Sequence, residues 1–164
     1  YVEVDPDVFL RVSRFFGSGL SPSELEGYVS WLLERLPHEE FISSSMAAGL
    51  GRGHAVYGLG FDSIFFESVL RRSPLLRTLY IPGGTVYYRN RRRIRHSAEG
   101  FLSSHVEDGE PIDDYLHRLE ERYGFLPVEE QVLRILKDTE IYVSDELARL
   151  FSDKDSFLRH VYGD

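Results

Sequence analysis

Eight arginines between positions 71 and 95 are the side chains of this sequence best suited to binding an anion. A guanidinium group donates two parallel hydrogen bonds to a phosphate or a carboxylate, so a cluster of them is typical of a surface that holds a polyanion. The segment 52–95 has nine arginines and two acidic residues, a net charge of +7. The sequence therefore predicts nucleic-acid ligands, through contacts to phosphates, at Arg71, Arg72, Arg77, Arg89, Arg91, Arg92, Arg93 and Arg95.

The second half of the chain has the opposite charge. Residues 97–164 carry 17 acidic and 7 Lys or Arg side chains, a net charge of −10, whereas residues 1–96 have a net charge of +2. This asymmetry leaves two interpretations of residues 91–95 open. They contact a nucleic acid, or they form a solvated linker that pairs with the acidic half. The opposite charges also allow head-to-tail dimers.

Residue types that enzymes use are present, but they form no catalytic pattern. The six histidines contain no HExxH zinc motif. The glycine-rich stretch 49–60 lacks both the Gly-Lys-Ser/Thr of a phosphate loop and the GxGxxG of a dinucleotide fold, so it is interpreted as a flexible connector. The acidic pairs at 113–114, 120–121 and 129–130 belong to polar helix faces, where such charges are usually solvated. We therefore expect no enzyme activity, no cofactor and no metal site.

The composition is typical of a folded intracellular domain. Of the 164 residues, 42% are hydrophobic and 28% are charged, and none is cysteine, which excludes disulfides and thiolate metal sites. No apolar run approaches the roughly 18 residues of a membrane span, and the N-terminus has no secretion signal. We expect a cytoplasmic protein that does not contact the membrane. Because residue 1 is Tyr rather than Met, we also expect a fragment of a larger protein.

Helical periodicity and helix caps predict three helices in the first half, at residues 6–16, 22–36 and 62–72. Residues 41–48 are compatible with a short helix or a strand. Asp5 and Asp62 are the predicted N-caps of the first and third helices, and Ser21 begins a capping box for the second. A β-hairpin is predicted after the third helix, because two β-rich runs, 77–81 and 85–89, flank the turn sequence Pro82-Gly83-Gly84.

The second half is predicted to be helical with one short strand. Helices are expected at residues 97–106, 111–123, 127–136, 144–151 and 152–162, and the strand at 140–143. Ser97 and Ser144 are predicted N-caps, the cap of the last helix is Ser152 or Asp153, and Gly124 ends the second of these helices.

Short sequence words recur between the two halves in the same order, at offsets of 60 to about 64 residues. Phe41-Ile42-Ser43-Ser44 resembles Phe101-Leu102-Ser103-Ser104, and Val69-Leu70-Arg71 matches Val132-Leu133-Arg134. Together these matches favour a diverged duplication.

The element order of residues 22–95 resembles the winged-helix branch of the helix-turn-helix superfamily. The resemblance implies a recognition helix at 62–72 with a hairpin wing beside it. It is to a fold pattern rather than to a named family. The second half departs from it, because 144–151 is predicted as a helix where the second strand of a wing would lie.

The sequence thus predicts an α+β, mainly α protein made of tandem helical units. The first unit, residues 1–96, is winged-helix-like with a basic end, and the second, residues 97–164, is acidic and mostly helical. We expect a non-catalytic regulatory module that mediates protein–protein assembly, with another protein or a second copy as its partner. The alternative is DNA or RNA binding through residues 62–95.

Overall fold

The computed structural model describes residues 2–5, 8–10, 22–50 and 53–163. The fold is α+β with helices predominating, and 50% of the structure is helical, as predicted. The α-helices of the described ranges are α1 Pro22–Arg35, α2 Ser44–Gly49, α3 Ser63–Arg72, α4 Ala98–Ser104, α5 Ile112–Tyr123, α6 Glu129–Lys137 and α7 Lys154–Tyr162. A short 3-10 helix, Ala55–Leu59, lies between α2 and α3.

The strands are short and form a hairpin and two three-stranded sheets within the described ranges. They are β1 Val2–Asp5, β2 Val8–Leu10, β3 Phe41–Ile42, β4 Leu76–Ile81, β5 Gly84–Arg89, β6 Glu110–Pro111, β7 Tyr142–Ser144 and β8 Arg149–Phe151. β1 pairs with β2 in antiparallel orientation. The three-stranded sheets have the orders β3-β5-β4 and β6-β8-β7.

The chain divides into two compact units. The first unit consists of residues 1–78 and 86–94, and the second of residues 79–85 and 95–164. The hairpin of β4 and β5 therefore contributes its base to the first unit and its tip to the second.

The core of the first unit is formed mainly by α1 and α3. Helix α3 begins where predicted, because the carboxylate of Asp62 accepts a hydrogen bond from the backbone N–H of Ile64 at 3.0 Å. Such a cap contributes about 1 kcal/mol to helix stability. The buried residues of this core are Tyr28, Val29, Leu32, Ile42, Ala47, Val56, Phe65, Phe66, Val69, Leu70, Leu76 and Tyr87.

The second unit has a separate set of buried side chains on α4, α5, α6 and β8. Its helices are bounded by the predicted caps: Ser97 accepts a hydrogen bond from Gly100 N–H, and Asp153 accepts one from Ser156 N–H. Gly124 ends α5 with φ +73°, a conformation that glycine adopts without strain. The largest buried side chains are Phe101, Leu102, Tyr115, Tyr123 and Phe151.

The two units share one order of elements, apart from β1 and β2 in the first unit and α7 in the second. Each has a helix, a short strand, two further helices and a β-hairpin, if the 3-10 turn before α3 is set aside. In each three-stranded sheet the strand between the first two helices, β3 or β6, pairs with the second strand of the hairpin, β5 or β8. The second hairpin strand is therefore the central strand of both sheets. Val69 and Val132 of the repeated words lie on corresponding helices, α3 and α6.

Part of the proposed repeat register is wrong. Phe41 and Ile42 form β3, whereas Phe101 and Leu102, the residues matched with them, lie within α4. The match failed because two apolar residues followed by two serines are compatible with either a buried strand or a buried helix turn.

The predicted first helix is also wrong where the structure describes it. Val8–Leu10 is a strand that pairs with Val2–Asp5, and residues 11–16 lie outside the described ranges. The missed signal is the alternation of valine with acidic residues in Val2–Asp5, which has the period of a strand.

Residues 144–151 do not form the predicted helix. They comprise the end of β7, a turn and the strand β8. The Ser144 hydroxyl accepts a hydrogen bond from Leu147 N–H at 3.3 Å, as an N-cap would, but here the bond closes a turn in which Ala148 has φ +49°. Leu150 and Phe151 are then buried in the sheet, which outweighs the helix propensity of the segment. The second unit therefore contains the hairpin that the sequence prediction lacked.

Glycine at position 83 is required by close packing at the hairpin tip. Gly83 has φ +99°, and a Cβ there would overlap the carbonyl oxygen of Leu126. Nearby, the backbone N–H of Val128 donates to the carbonyl oxygen of Pro82 at 3.1 Å. The tip and residues 126–128 thus form one tightly packed part of the second unit.

Replacing Gly83 with alanine is expected to destabilise the second unit by about 3 kcal/mol or more, because the backbone must move as well as adopt a left-handed conformation. Gly109→Ala is the matched control in the same unit. Gly109 also has a positive φ of +78°, but a Cβ there would meet only Phe151, at 3.8 Å. We expect about 1 kcal/mol for this control, measured by urea unfolding. Equal losses in the two variants would contradict the packing argument.

Candidate functional site

The structure divides the eight candidate arginines into two groups. Three of them make contacts within the first unit. Arg71 forms an ion pair with Glu67 one turn earlier on α3, and Arg77 Nε donates to Asn90 Oδ1 at 2.6 Å. Arg89 is the third, and its contacts are the most extensive.

The Arg89 side chain caps the C-terminal end of α1. Its guanidinium donates to the carbonyl oxygens of Leu33 and Leu36, each at 2.9 Å. These carbonyls are among those that a helix end leaves without an intrahelical partner. Arg89 therefore connects the end of β5 to the end of α1 and has a structural function.

The remaining candidates, Arg72, Arg91, Arg92, Arg93 and Arg95, are exposed. None of their side chains makes a hydrogen bond or an ion pair with the described residues. Residues 91–94, which we term the Arg turn, are closed by a hydrogen bond from Ile94 N–H to the carbonyl oxygen of Arg91 at 3.2 Å. Ile94 itself is 39% exposed. The Arg turn thus presents three exposed cations and one partly exposed apolar side chain.

Helix α3, the predicted base-reading element, is not a free cationic surface. The strand β1, with the acidic sequence Val-Glu-Val-Asp, lies beside it. On the helix itself, Ser63, Glu67, Ser68 and Arg71 include one cation, which is paired with Glu67. Insertion of this helix into a nucleic-acid groove is disfavoured, because the neighbouring strand occupies space beside it.

Helix α6, at the corresponding position in the second unit, has a mixed charge. Glu129 and Glu130 lie exposed in its first turn, and Arg134 and Lys137 lie in its last turn. The Lys137 ammonium is paired with Asp145 at 2.9 Å. This helix is therefore not suited to contact a polyanion.

Exposed apolar side chains are concentrated in the second unit, and sequence reasoning missed them. Among the described residues, the exposed large apolar side chains of the first unit are Leu75 and Ile94. Those of the second unit are Tyr80, Leu126, Val128, Leu147, Leu158, Val161 and Tyr162. A concentration of this kind is typical of surfaces that bind other proteins.

Helix α7 has apolar residues on two sides. Phe157 faces the unit, with its ring 4.4 Å from that of Tyr142. Leu158, Val161 and Tyr162 are exposed, Tyr162 to 79%. We call these three residues the α7 stripe. They share a face because they are separated by three and four positions.

A cleft of about 510 Å³ lies between the α7 helix and the loop before β6. Asp108 in this loop accepts hydrogen bonds from the Ser156 hydroxyl and from Ser152 N–H, and these bonds lower the pKa of the Asp108 carboxyl. A nucleophilic serine requires a base as its hydrogen-bond partner. The partner of Ser156 is a carboxylate whose lowered pKa makes it a weak base, so this group is better suited to holding the start of α7 than to activating a nucleophile.

The histidines with resolved contacts also act structurally. His54 Nδ1 accepts a hydrogen bond from Val56 N–H at 3.3 Å, and burial lowers the pKa of His54, so the neutral form is favoured. His105 bridges the carbonyl oxygen of Phe101, at 2.7 Å, and the Tyr123 hydroxyl, at 2.8 Å. In the part of the chain that the structure describes, no group of three or more potential ligands is arranged to hold a metal ion.

The comparisons with known proteins are negative: no family model, curated protein or solved structure matches this chain. Within the described ranges, no helix combines the length and the apolar character needed to cross a membrane.

The division of the arginines leads to a stability prediction. Arg89→Ala is expected to destabilise the first unit by about 2–3 kcal/mol, because two carbonyl groups at the end of α1 lose a charged donor. Arg92→Ala, the matched control in the exposed turn, is expected to change stability by less than about 0.5 kcal/mol. Urea unfolding followed by circular dichroism measures both. A loss with Arg92→Ala as large as that with Arg89→Ala would contradict the assignment.

Proposed function

We propose that this chain is a tandem winged-helix module that mediates protein–protein assembly and has no catalytic role. Its second unit, which has a net negative charge over residues 97–164, binds the partner through exposed apolar side chains. The partner chemistry that fits such a surface is an apolar segment with basic residues at its edges.

The winged-helix assignment is supported by the order of elements. Two helices followed by a β-hairpin occur in both units. The short strand before these helices, β3 or β6, pairs with the second strand of the hairpin in each unit. In this assignment α3 and α6 correspond to recognition helices, and the hairpins β4–β5 and β7–β8 correspond to wings.

The observation that carries the protein-binding role is the surface of the second unit. It combines a sequence charge of −10 over residues 97–164 with an exposed apolar stripe on α7. Such a surface repels nucleic acid, whereas burial of its apolar side chains on a partner is favourable by about 25 cal/mol per Å².

Photocrosslinking tests the surface directly. A photoreactive phenylalanine analogue in place of Tyr162 is expected to give a discrete protein adduct in an extract of the producing cells. The analogue in place of Glu121, an exposed position on α5, is the matched control and is expected to give none. Adding Leu158→Ser and Val161→Ser to the first variant is expected to reduce the adduct at least about tenfold, because buried apolar area is lost. Equal labelling from positions 121 and 162, or an adduct unchanged by the serines, would contradict the proposal.

Nucleic-acid binding is the second candidate, and the free arginines favour it. Arg72, Arg91, Arg92, Arg93 and Arg95 are available for phosphate contacts, which provide affinity without sequence specificity.

Fluorescence anisotropy with mixed-sequence duplex and single-stranded DNA across a salt series separates the two functions. For protein assembly we expect Kd values weaker than about 10⁻⁴ M at about 150 mM salt, the weak limit of non-specific DNA binding. The comparison variant carries Arg91, Arg92, Arg93 and Arg95 as alanine. Micromolar binding that falls steeply with salt and is largely lost in this variant would replace the proposal with the nucleic-acid function.

A further inference from the structure

The second unit has an apolar surface that is already held in place before any partner binds. Leu126 is 71% exposed and Val128 is 40% exposed. Their backbone is packed against the hairpin tip, with the Val128 N–H bonded to Pro82 and the Leu126 carbonyl against Gly83. A rigid surface of this kind loses little conformational entropy on binding.

Acidic residues follow this surface directly. Glu129 and Glu130, in the first turn of α6, are both exposed. We call Leu126, Val128, Glu129 and Glu130 the ledge. It combines exposed apolar atoms with two carboxylates that no described residue pairs with.

The Arg turn has the complementary chemistry. Its three guanidinium groups lack partners among the described residues, and Ile94, which follows them in the turn, is partly exposed. Arginine suits such a contact because its guanidinium matches the geometry of a carboxylate and packs against apolar surface. Three cations next to an exposed apolar side chain thus match an apolar surface bordered by carboxylates.

We propose that the Arg turn of one copy of this chain docks on the ledge of a second copy. The inference rests on the proposed function and names a second copy of the chain as a partner. Because the two docking surfaces are different, the contact is heterologous: each bound copy keeps one free turn and one free ledge. Association therefore continues head to tail into short oligomers or closes into a ring.

The contact is small and largely ionic. Interfaces well below about 1,200 Å² are transient, so the Kd is expected to be on the order of 100 µM at low salt. Exposed ion pairs are screened by salt, so raising the salt from about 50 to about 500 mM is expected to weaken association at least about tenfold.

Two variants test the head-to-tail arrangement. The turn variant carries Arg91→Ser, Arg92→Ser and Arg93→Ser, and the ledge variant carries Leu126→Ser, Glu129→Lys and Glu130→Lys. In sedimentation velocity each variant alone is expected to be monomeric at concentrations where the native chain associates. Their equimolar mixture is expected to form a 1:1 dimer that grows no further, because only one intact turn and one intact ledge can meet.

The matched control carries Asp113→Asn and Asp114→Asn, two exposed acids on α5 outside the ledge. Its association is expected to stay within about twofold of the native value, since most of the net charge is kept. Thermal unfolding by circular dichroism shows that each variant is folded. A second ledge variant, Glu129→Gln with Glu130→Gln, replaces the first if the lysines disturb folding, and the mixing result expected for it is the same.

Three outcomes would overturn the inference. The first is a native chain that remains monomeric at about 500 µM and low salt, well above the expected Kd. The others are a mixture of the two variants that remains monomeric, and control substitutions that weaken association as much as those of the ledge.

These outcomes can be distinguished from failure of the proposed function. A Tyr162 adduct that persists without self-association leaves the protein-binding role in place, whereas loss of the adduct with intact self-association refutes the partner surface on α7 alone.

Discussion

The hydrogen bonds from Arg89 to the end of α1 are the interaction on which the basic surface of this protein depends. The last carbonyl groups of a helix need donors, and a guanidinium provides two of them with one side chain. This anchors the end of β5 to α1 two residues before the chain turns at residue 91. Arg91, Arg92 and Arg93 then extend into solvent from a fixed starting point. Identical side chains therefore differ in function according to the partners that the fold brings to each of them.

The second unit meets the same requirement with an arginine from another element. Arg118 of α5 donates to the carbonyl oxygen of His105, at the end of α4, and to both carboxylate oxygens of Glu110 at 2.8 Å. In both units the first helix is thus capped at its C-terminal end by an arginine from a later element. What differs is the surface around it. Among the described residues, the first unit has exposed cations and two exposed large apolar side chains, whereas the second unit has the α7 stripe and the ledge. The function proposed for the chain follows from this difference in surface rather than from the order of elements that the units share.

Local signals were sufficient where a helix or turn is specified by residues close in sequence. Asp62 and Ser97 begin α3 and α4, Gly124 ends α5, and Gly83 lies at the hairpin tip, all as predicted. The predictions failed at Val8–Leu10 and at residues 144–151, where strands form. A strand is stabilised by partners distant in sequence, so its signal is weak when only three residues pair. Ser144 illustrates the ambiguity, because one hydroxyl-to-backbone bond begins a helix or closes a turn equally well.

The sequence by itself determined the mainly α fold class, the separation of charge between the halves and the set of arginines from which a binding surface is drawn. Only the tertiary structure decided which members of that set are free. Composition and spacing specify side-chain chemistry and the faces of a helix. They do not specify which carbonyl group needs a donor, such as those that Arg89 binds, or which of two apolar faces is covered. On α7 both Phe157 and Leu158 satisfy a helical pattern, yet one packs against Tyr142 and the other remains exposed. The physical reason is that burial depends on the neighbours that the fold brings to each face, and those neighbours are distant in sequence.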